Sequence, residues 1–336
     1  MYITLLMWIN NKNNMKLISE NEISIAAECL RNGGLVAFPT ETVYGLGANA
    51  LNPVAVAGIF NAKKRPNFDP LIVHISDLSQ IELLFEKPIN EAVYKLAESF
   101  WPGPLTIVHR KSAIVPAIVT SDLDAVAVRM PSHPIAQRLI SEAGVPIAAP
   151  SANLFGQLSP TSYLHVAKQN MEIDFLIKGD DITKAVGIES TVVAVENNVC
   201  TILRPGVIIA DEIKNCIPTY EVLSPDKNVK LASPGLLQSH YSPLKPLFYF
   251  NSDSQISCDS GVILHKKELG KTYSEKTIFT SETGNLVEVA ANLFSSLHRM
   301  EEDAEVKEIY IARTTEDGIG KAIMDRLNKA TFQYKT

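Results

Sequence analysis

Short apolar runs alternate with stretches of helical period along most of the chain, and that alternation predicts an α/β protein. Ser19, with Glu22 three residues on, has the form of a capping box. Ile23, Ala26, Ala27 and Leu30 then share one helical face, and Gly33 ends the helix. Apolar runs at 35–38, 71–75, 105–109, 125–130, 146–149 and 175–178 predict strands, and 53–63, 90–100, 134–143 and 163–169 predict the helices among them. Near the end of this region the period changes. The runs 190–196 and 199–204 flank Asn197-Asn198, a pair that tolerates positive φ, so an antiparallel hairpin is expected and the sheet should be mixed.

From 218 to 246 sustained periodicity gives way to Pro and Ser, with Ser233-Pro234-Gly235 and His240-Tyr241-Ser242-Pro243, which reads as a linker. Beyond it, apolar runs at 247–250, 261–265 and 308–312 alternate with helical stretches at 286–300 and 320–330, predicting a small Rossmann-like unit. Gly318-Ile319-Gly320 lacks the third glycine of a dinucleotide fingerprint. A length of 336 residues exceeds what one hydrophobic core usually organises. The expected division is therefore a first domain over 16–217, a linker over 218–245 that folds back as a lid, and a second domain over 246–336.

With 46% hydrophobic and 20% charged residues the chain is of ordinary globular composition. Its net charge of -6 argues against broad coating of nucleic acid but leaves room for a local basic pocket. Cys29, Cys200, Cys216 and Cys258 lack metal-ligand spacing and suit a reducing, cytoplasmic setting. The first nine residues are apolar, without a preceding basic region or a following small-residue cleavage site, and are too short to span a bilayer. They read as an extension, with Met1 and Met15 both eligible starts; no membrane partner is expected.

The candidate chemistry lies at the ends of the predicted strands. Pro39-Thr40-Glu41-Thr42-Val43-Tyr44-Gly45-Leu46-Gly47 places hydroxyls, amides and two glycines after an apolar run, which fits an anion site as well as a plain tight turn. Lys63-Lys64-Arg65 precedes Pro66, and Arg129 and Arg204 also stand at strand ends, so cations converge on the crevice beside the sheet. Arginine grips phosphate or carboxylate with paired hydrogen bonds. His74 by itself suits a satisfied core or edge histidine better than a catalytic base. Ser151 and Asn153 occupy a polar turn with no nucleophile elbow around the serine. Glu41 and Glu189 suit either a hydrated magnesium ion or an ordinary turn.

These segments, with Asp69-Pro70-Leu71-Ile72-Val73-His74, Trp101-Pro102-Gly103-Pro104, Val128-Arg129-Met130-Pro131, Ala149-Pro150-Ser151-Ala152-Asn153, Ser159-Pro160-Thr161, Ser190-Thr191-Val192 and Leu203-Arg204-Pro205-Gly206, stand in a distinctive order. In type and spacing they resemble the YrdC-like family, and within it the longer threonylcarbamoyl-AMP synthases that carry a second domain. The motifs match over roughly 16–243. The resemblance implies a twisted mixed α/β sheet with helices, followed by a small Rossmann-like α/β domain. It further implies that L-threonine, bicarbonate or CO2, and ATP with Mg2+ give threonylcarbamoyl-AMP and pyrophosphate, for a downstream tRNA threonylcarbamoyl transferase. No enzyme nucleophile is required.

Carried over position by position, the resemblance assigns threonine to Thr42, His74, Arg129, Ser151 and Ser190. ATP falls to Arg65, Asp69, Ala125, Asn153, Thr161 and Arg204, with Tyr241 closing over it. Lys64, Asp69 and Ala125 stand where the family commonly has glycine, asparagine and threonine. The alternative function is a double-stranded RNA or ribosome-binding module, and weak RNA binding is a further expectation. Carbamoyl transfer through a carbamoyl-adenylate is a second enzymatic reading; relatives of that kind carry acylphosphatase and zinc-finger segments, which are not found here.

Overall fold

The computed structural model describes residues 15–179, 186–224, 240–251, 256–267 and 273–334. The apolar extension and Ser233-Pro234-Gly235 lie outside the described residues. In the first domain the strands are β1 (Lys16–Ile18), β2 (Val36–Phe38), β3 (Gly45–Asn49), β4 (Ile72–His74), β5 (Leu105–Arg110), β6 (Ala125–Arg129), β7 (Ile147–Ala148), β8 (Phe175–Ile177), β9 (Thr191–Glu196), β10 (Val199–Arg204) and β11 (Glu221–Leu223). They form one mixed sheet in the order β1-β8-β2-β3-β7-β4-β6-β5-β9-β10-β11. The expected hairpin is β9–β10, antiparallel, with Asn197 at φ 52° in its turn.

Helices α1 (Ile23–Arg31), α2 (Pro53–Lys63), α3 (Glu91–Phe100), α4 (Pro134–Ala143), α5 (Tyr163–Lys168) and α6 (Ala210–Cys216) accompany this sheet. The Ser19–Glu22 capping box precedes α1, which buries Ile23, Ala26, Ala27 and Leu30 in a cluster shared with α4. Full burial of Ile23 or Leu30 contributes about 1.5–3 kcal/mol each. Asn52 caps α2 through Val54 N and Ala55 N. That helix stops at Lys64, whose φ of 53° is the left-handed conformation that glycine adopts freely. The backbone thus accounts for the family's glycine at this place.

Two features differ from the pattern-based expectation. Gly45 to Asn49 is a strand, not an open loop, and a Cβ on Gly47 would lie 2.8 Å from both Ile147 Cγ2 and Phe38 Cε1. Gly47 is therefore required by packing rather than by a ligand. The first sheet also runs on to Leu223 through β11, past 217, because β11 pairs with β10 in parallel. A run of three residues is too short to show a period.

The second domain has four parallel strands, β12 (Leu247–Tyr249), β13 (Ser260–Leu264), β14 (Thr277–Phe279) and β15 (Glu308–Ile311), in the order β12-β15-β13-β14. Helices α7 (Leu286–Glu302) and α8 (Gly320–Ala330) carry its core, into which Val43, Leu158 and Ile188 of the first domain also pack. The two domains therefore share apolar surface. Gly187, at φ +74°, lies against α7 so closely that a Cβ would meet Ala291 Cα at 2.4 Å. Among the described residues no helix is long and apolar enough to cross a membrane.

Candidate active site

Parallel pairing of β4 with β6 sets His74 directly beside Arg129 at the C-terminal ends of both strands. The turn after β2, the turn after β7, the start of β9 and the end of β10 meet them there. Thr42, His74, Arg129, Ser151 and Ser190 line one cavity together with Arg65, Arg204 and Tyr241. Thr40, Glu189 and His240 complete much of its wall, and its volume is about 50 Å³.

The cations are deeply set: Arg65, Arg129 and Arg204 are only 7%, 4% and 4% exposed. Each is aimed by fixed acceptors. Arg129 donates to Thr42 Oγ1 at 3.0 Å and to Gly103 O at 3.3 Å, and pairs with Glu41 at 2.5 Å. Arg65 donates to Asp69 O and Pro70 O, both at 3.1 Å, and pairs with Asp69 at 2.8 Å. The anionic Asp69 therefore meets its cation within the protein. Arg204 donates to Ser190 O at 3.0 Å and Ser190 Oγ at 3.1 Å.

Lys63, two residues before Arg65, is buried and donates to Ser151 O at 2.5 Å and to Asn153 O. It fixes the Ser151–Asn153 turn from behind, and burial followed by the nearby Arg65 holds its pKa well below the usual lysine value. The sequence points to Lys63 as one of the cations converging on the crevice, and the structure gives it a different task, anchoring the Ser151–Asn153 turn. Tyr44 and Gly45 grip the same turn through Ala152 N to Tyr44 O at 2.8 Å and a bridge between Gly45 and Ser151.

Three buried atoms around the site lack hydrogen-bond partners: His74 Nδ1, Asn153 Oδ1 and His240 Nδ1. Native interiors seldom leave such groups unsatisfied, so their clustering marks a place for a polar ligand. Tyr241 is 1% exposed, holds φ at 62°, and packs on Phe294 at 5.6 Å. Ser242 joins the domains, its N donating to Gly156 O at 2.9 Å and its Oγ to Ala330 O at 3.0 Å. Four of the seven expected ATP contacts, Asp69, Ala125, Asn153 and Thr161, are not among the residues that line the cavity; Asp69 pairs with Arg65 behind the wall, and the Asn153 amide donates to Leu154 O and Gln157 O. Ala125 begins β6 at the end away from Arg129 and lines a separate, open cavity with Arg110, Asp124 and Thr201. Thr161 sits outside the cavity wall, its N and Oγ1 each 3.3 Å from His165 Nδ1.

His165, His298 and Glu302 bring potential metal-ligating atoms together. The two rings, however, stack with centroids 3.8 Å apart and planes 15° apart. Lone pairs lying in nearly parallel ring planes do not converge on one ion, so this is a packing contact between α5 and α7. His298 also donates to Ser159 O at 3.0 Å.

Burial, reinforced for His74 by Arg129 and for His165 by His298, pushes both histidines down to about 3. Burial likewise takes His240 to about 3 and His298 to about 4. These groups stay neutral when folded but accept a proton near 6.5 when unfolded, so their contribution is whole above that pH and is lost as pH falls toward 4. Each removes up to about 1.4 kcal/mol per pH unit. The urea midpoint is expected to be clearly lower at pH 5 than at pH 7.5; an equal or higher midpoint at pH 5 would contradict the buried neutral assignment.

The profile of the family described as "Telomere recombination" (Sua5, YciO and YrdC) matches residues 28–206, and that described as "Threonylcarbamoyl-AMP synthase, C-terminal domain" matches 208–331. Threonylcarbamoyl-AMP synthase of Pyrococcus abyssi is 42% identical over 95% of this chain and 96% of its own length. The Bacillus subtilis synthase of the same name is 39% identical over 96% of each chain. The crystal structure of P. abyssi Sua5 complexed with L-threonine superposes with a TM-score of 0.83, at 37% identity, covering 95% of this chain and 98% of that one. The fold, the order of the two domains and these matches agree: the chain belongs to the Sua5/YciO/YrdC family, in its two-domain form.

Proposed function

We propose that this chain is an L-threonylcarbamoyladenylate synthase, a nucleotidyltransferase that joins L-threonine, bicarbonate or CO2, and ATP into threonylcarbamoyl-AMP with release of pyrophosphate. The observation that carries the reading is the convergence of Arg65, Arg129 and Arg204, all buried, on one cavity that also holds the partnerless His74 Nδ1. Buried cations at this depth suit a small polyanion and an amino-acid carboxylate. They are poorly placed to run along a nucleic-acid backbone, which favours the enzyme over the RNA-binding alternative.

In this reading Arg129 receives the threonine carboxylate, Thr42 and His74 meet its polar groups, and Arg65 and Arg204 take the phosphates. The threonine amine captures CO2 as a carbamate. A carbamate oxygen then attacks the α-phosphate in line, the bond to the β-phosphate oxygen breaks, and pyrophosphate leaves. The residues supply position and positive charge rather than a nucleophile. Magnesium arrives with ATP as substrate. Glu41 already accepts from Arg129 and Ser132 N, and Glu189 from Ser159 and Arg326, so neither carboxylate forms a ready protein cage for the ion.

His240 and Tyr241 cover the cavity of about 50 Å³, and their outward movement would widen it for MgATP. Their return over the nucleotide would keep water from the labile mixed anhydride. The product suits a tRNA threonylcarbamoyl transferase, and the four unpaired cysteines suit the cytoplasm.

Carbon-13 bicarbonate, threonine and ATP should yield a labelled threonylcarbamoyl-AMP by mass spectrometry; AMP or ADP alone as nucleotide product would oppose the proposal. Selectivity gives an independent check. A site that hydrogen-bonds a hydroxyl rejects the apolar isostere because its own groups are left unpaired. Calorimetric titration should show valine weaker than threonine by on the order of 10²-fold or more, with serine between them. Equal affinity for valine would remove the threonine assignment.

A further inference from the structure

Glu189 places a buried carboxylate in the wall of the cavity, next to Ser190 and within the group that Arg204 completes. Left alone, that charge would repel a polyphosphate. Its cation comes from the other domain. Arg326 on α8 is fully buried and donates Nε to Glu189 Oε2 at 3.0 Å, Nη2 to Glu189 O at 3.3 Å and Nη1 to Pro205 O at 2.6 Å. The same guanidinium lies 5.7 Å from the Tyr241 ring and meets Asp325 at 2.9 Å.

The contact is anchored on both sides. Ser159 donates to Glu189 Oε1 at 2.5 Å, while His298 of α7 holds Ser159 O, so both second-domain helices reach the one carboxylate. Gly187 brings the chain two residues before Glu189 against the α7 backbone with no room for a side chain. Burial favours a protonated Glu189, but Arg326 and then Arg204 outweigh it and hold the carboxyl below its usual range, so it is ionised.

We propose that the second domain completes the nucleotide site, with Arg326 as a positioning residue that neutralises and aims Glu189 and holds the Pro205 carbonyl beside Arg204. This rests on the synthase reading and adds to it a task for the second domain. Arg326 acts through Glu189, Pro205 and Tyr241 and touches no reacting atom.

The test compares full-length wild type, Arg326→Gln, Arg326→Lys, Glu189→Gln and the double variant Glu189→Gln/Arg326→Gln, by MgATP titration and by steady-state KM for ATP and for threonine. Arg326→Gln should weaken ATP at least tenfold and change threonine less than threefold, and Arg326→Lys should fall between it and wild type. Removing the stranded carboxylate in the double variant should recover roughly half or more of that loss on a logarithmic scale, the remainder belonging to the Pro205 and Tyr241 contacts that Arg326→Gln still lacks. A docking clamp alone makes the opposite prediction, since both changes break the pair: a double variant no better than Arg326→Gln overturns the proposal, as does unchanged ATP affinity in Arg326→Gln. Should Arg326→Gln fail to melt as a folded protein, Glu189→Gln decides, with ATP bound at least as tightly as by wild type in support and a tenfold weakening against. Wild type that binds no MgATP would overturn the synthase reading and this proposal together; wild-type binding with either contrary variant result overturns this proposal alone.

Discussion

Arg129→Ala is expected to lower kcat/KM for threonine by roughly 30- to 5,000-fold, the equivalent of the 2–5 kcal/mol lost when one partner of a buried charge pair is removed. The side chain is 4% exposed and binds Thr42 Oγ1, Gly103 O and Glu41 at once, so its loss strands the Glu41 carboxylate as well as removing the clamp. Arg65→Ala should produce its main loss on ATP instead. Its acceptors, Asp69 and Pro70, differ from the Thr42, Gly103 and Glu41 that hold Arg129. Steady-state kinetics with each substrate varied separately reads the difference, with circular dichroism to check that both variants fold. Normal turnover and normal apparent affinities in both would show that the site is misplaced.

Ending the chain after Leu223 is expected to leave a folded first domain that still binds threonine but loses roughly 10²–10³-fold in kcat/KM for ATP, the scale set by an unpaired buried charge. Its large core is self-contained, running from Met15 to Ile217. What the truncation removes is Tyr241, His240 and Arg326, and with them the partner of Glu189. Extending the chain to Pro246 should restore little, because Tyr241 is seated by Phe294 and Arg326 of the missing domain. Full ATP use by the chain ending at Leu223 would reduce the second domain to an appendage.

Much of the fold was legible because amphipathic period and capping chemistry act locally. The helices Pro53–Lys63, Pro134–Ala143 and Gly320–Ala330 have the expected bounds, and the buried face of α1 is the one that its spacing indicates. The strands β1, β11 and β14 escaped, each three residues long and held by its pairing, β1 with the remote β8, β11 with β10 and β14 with β13, rather than by local pattern. Gly45-Leu46-Gly47 reads as the close of an anion site or tight turn, whereas it is a strand in which the ring of Phe38 and Ile147 leave room only for glycine at 47. All five residues assigned to threonine line the cavity, as do Arg65, Arg204 and Tyr241. The anchoring role of Lys63 and the whole of Arg326 were illegible, since one works from behind a turn and the other from a helix more than a hundred residues away from Glu189. Contacts of that separation leave no period in the chain.

If one pocket joins three substrates, pyrophosphate leaves only when all three are present. Full-length protein with MgATP, L-threonine and bicarbonate should release pyrophosphate, and omission of any one of the three, with dissolved CO2 removed in the bicarbonate arm, should reduce release to background. Release that continues undiminished without threonine, or without bicarbonate and CO2, would contradict the account.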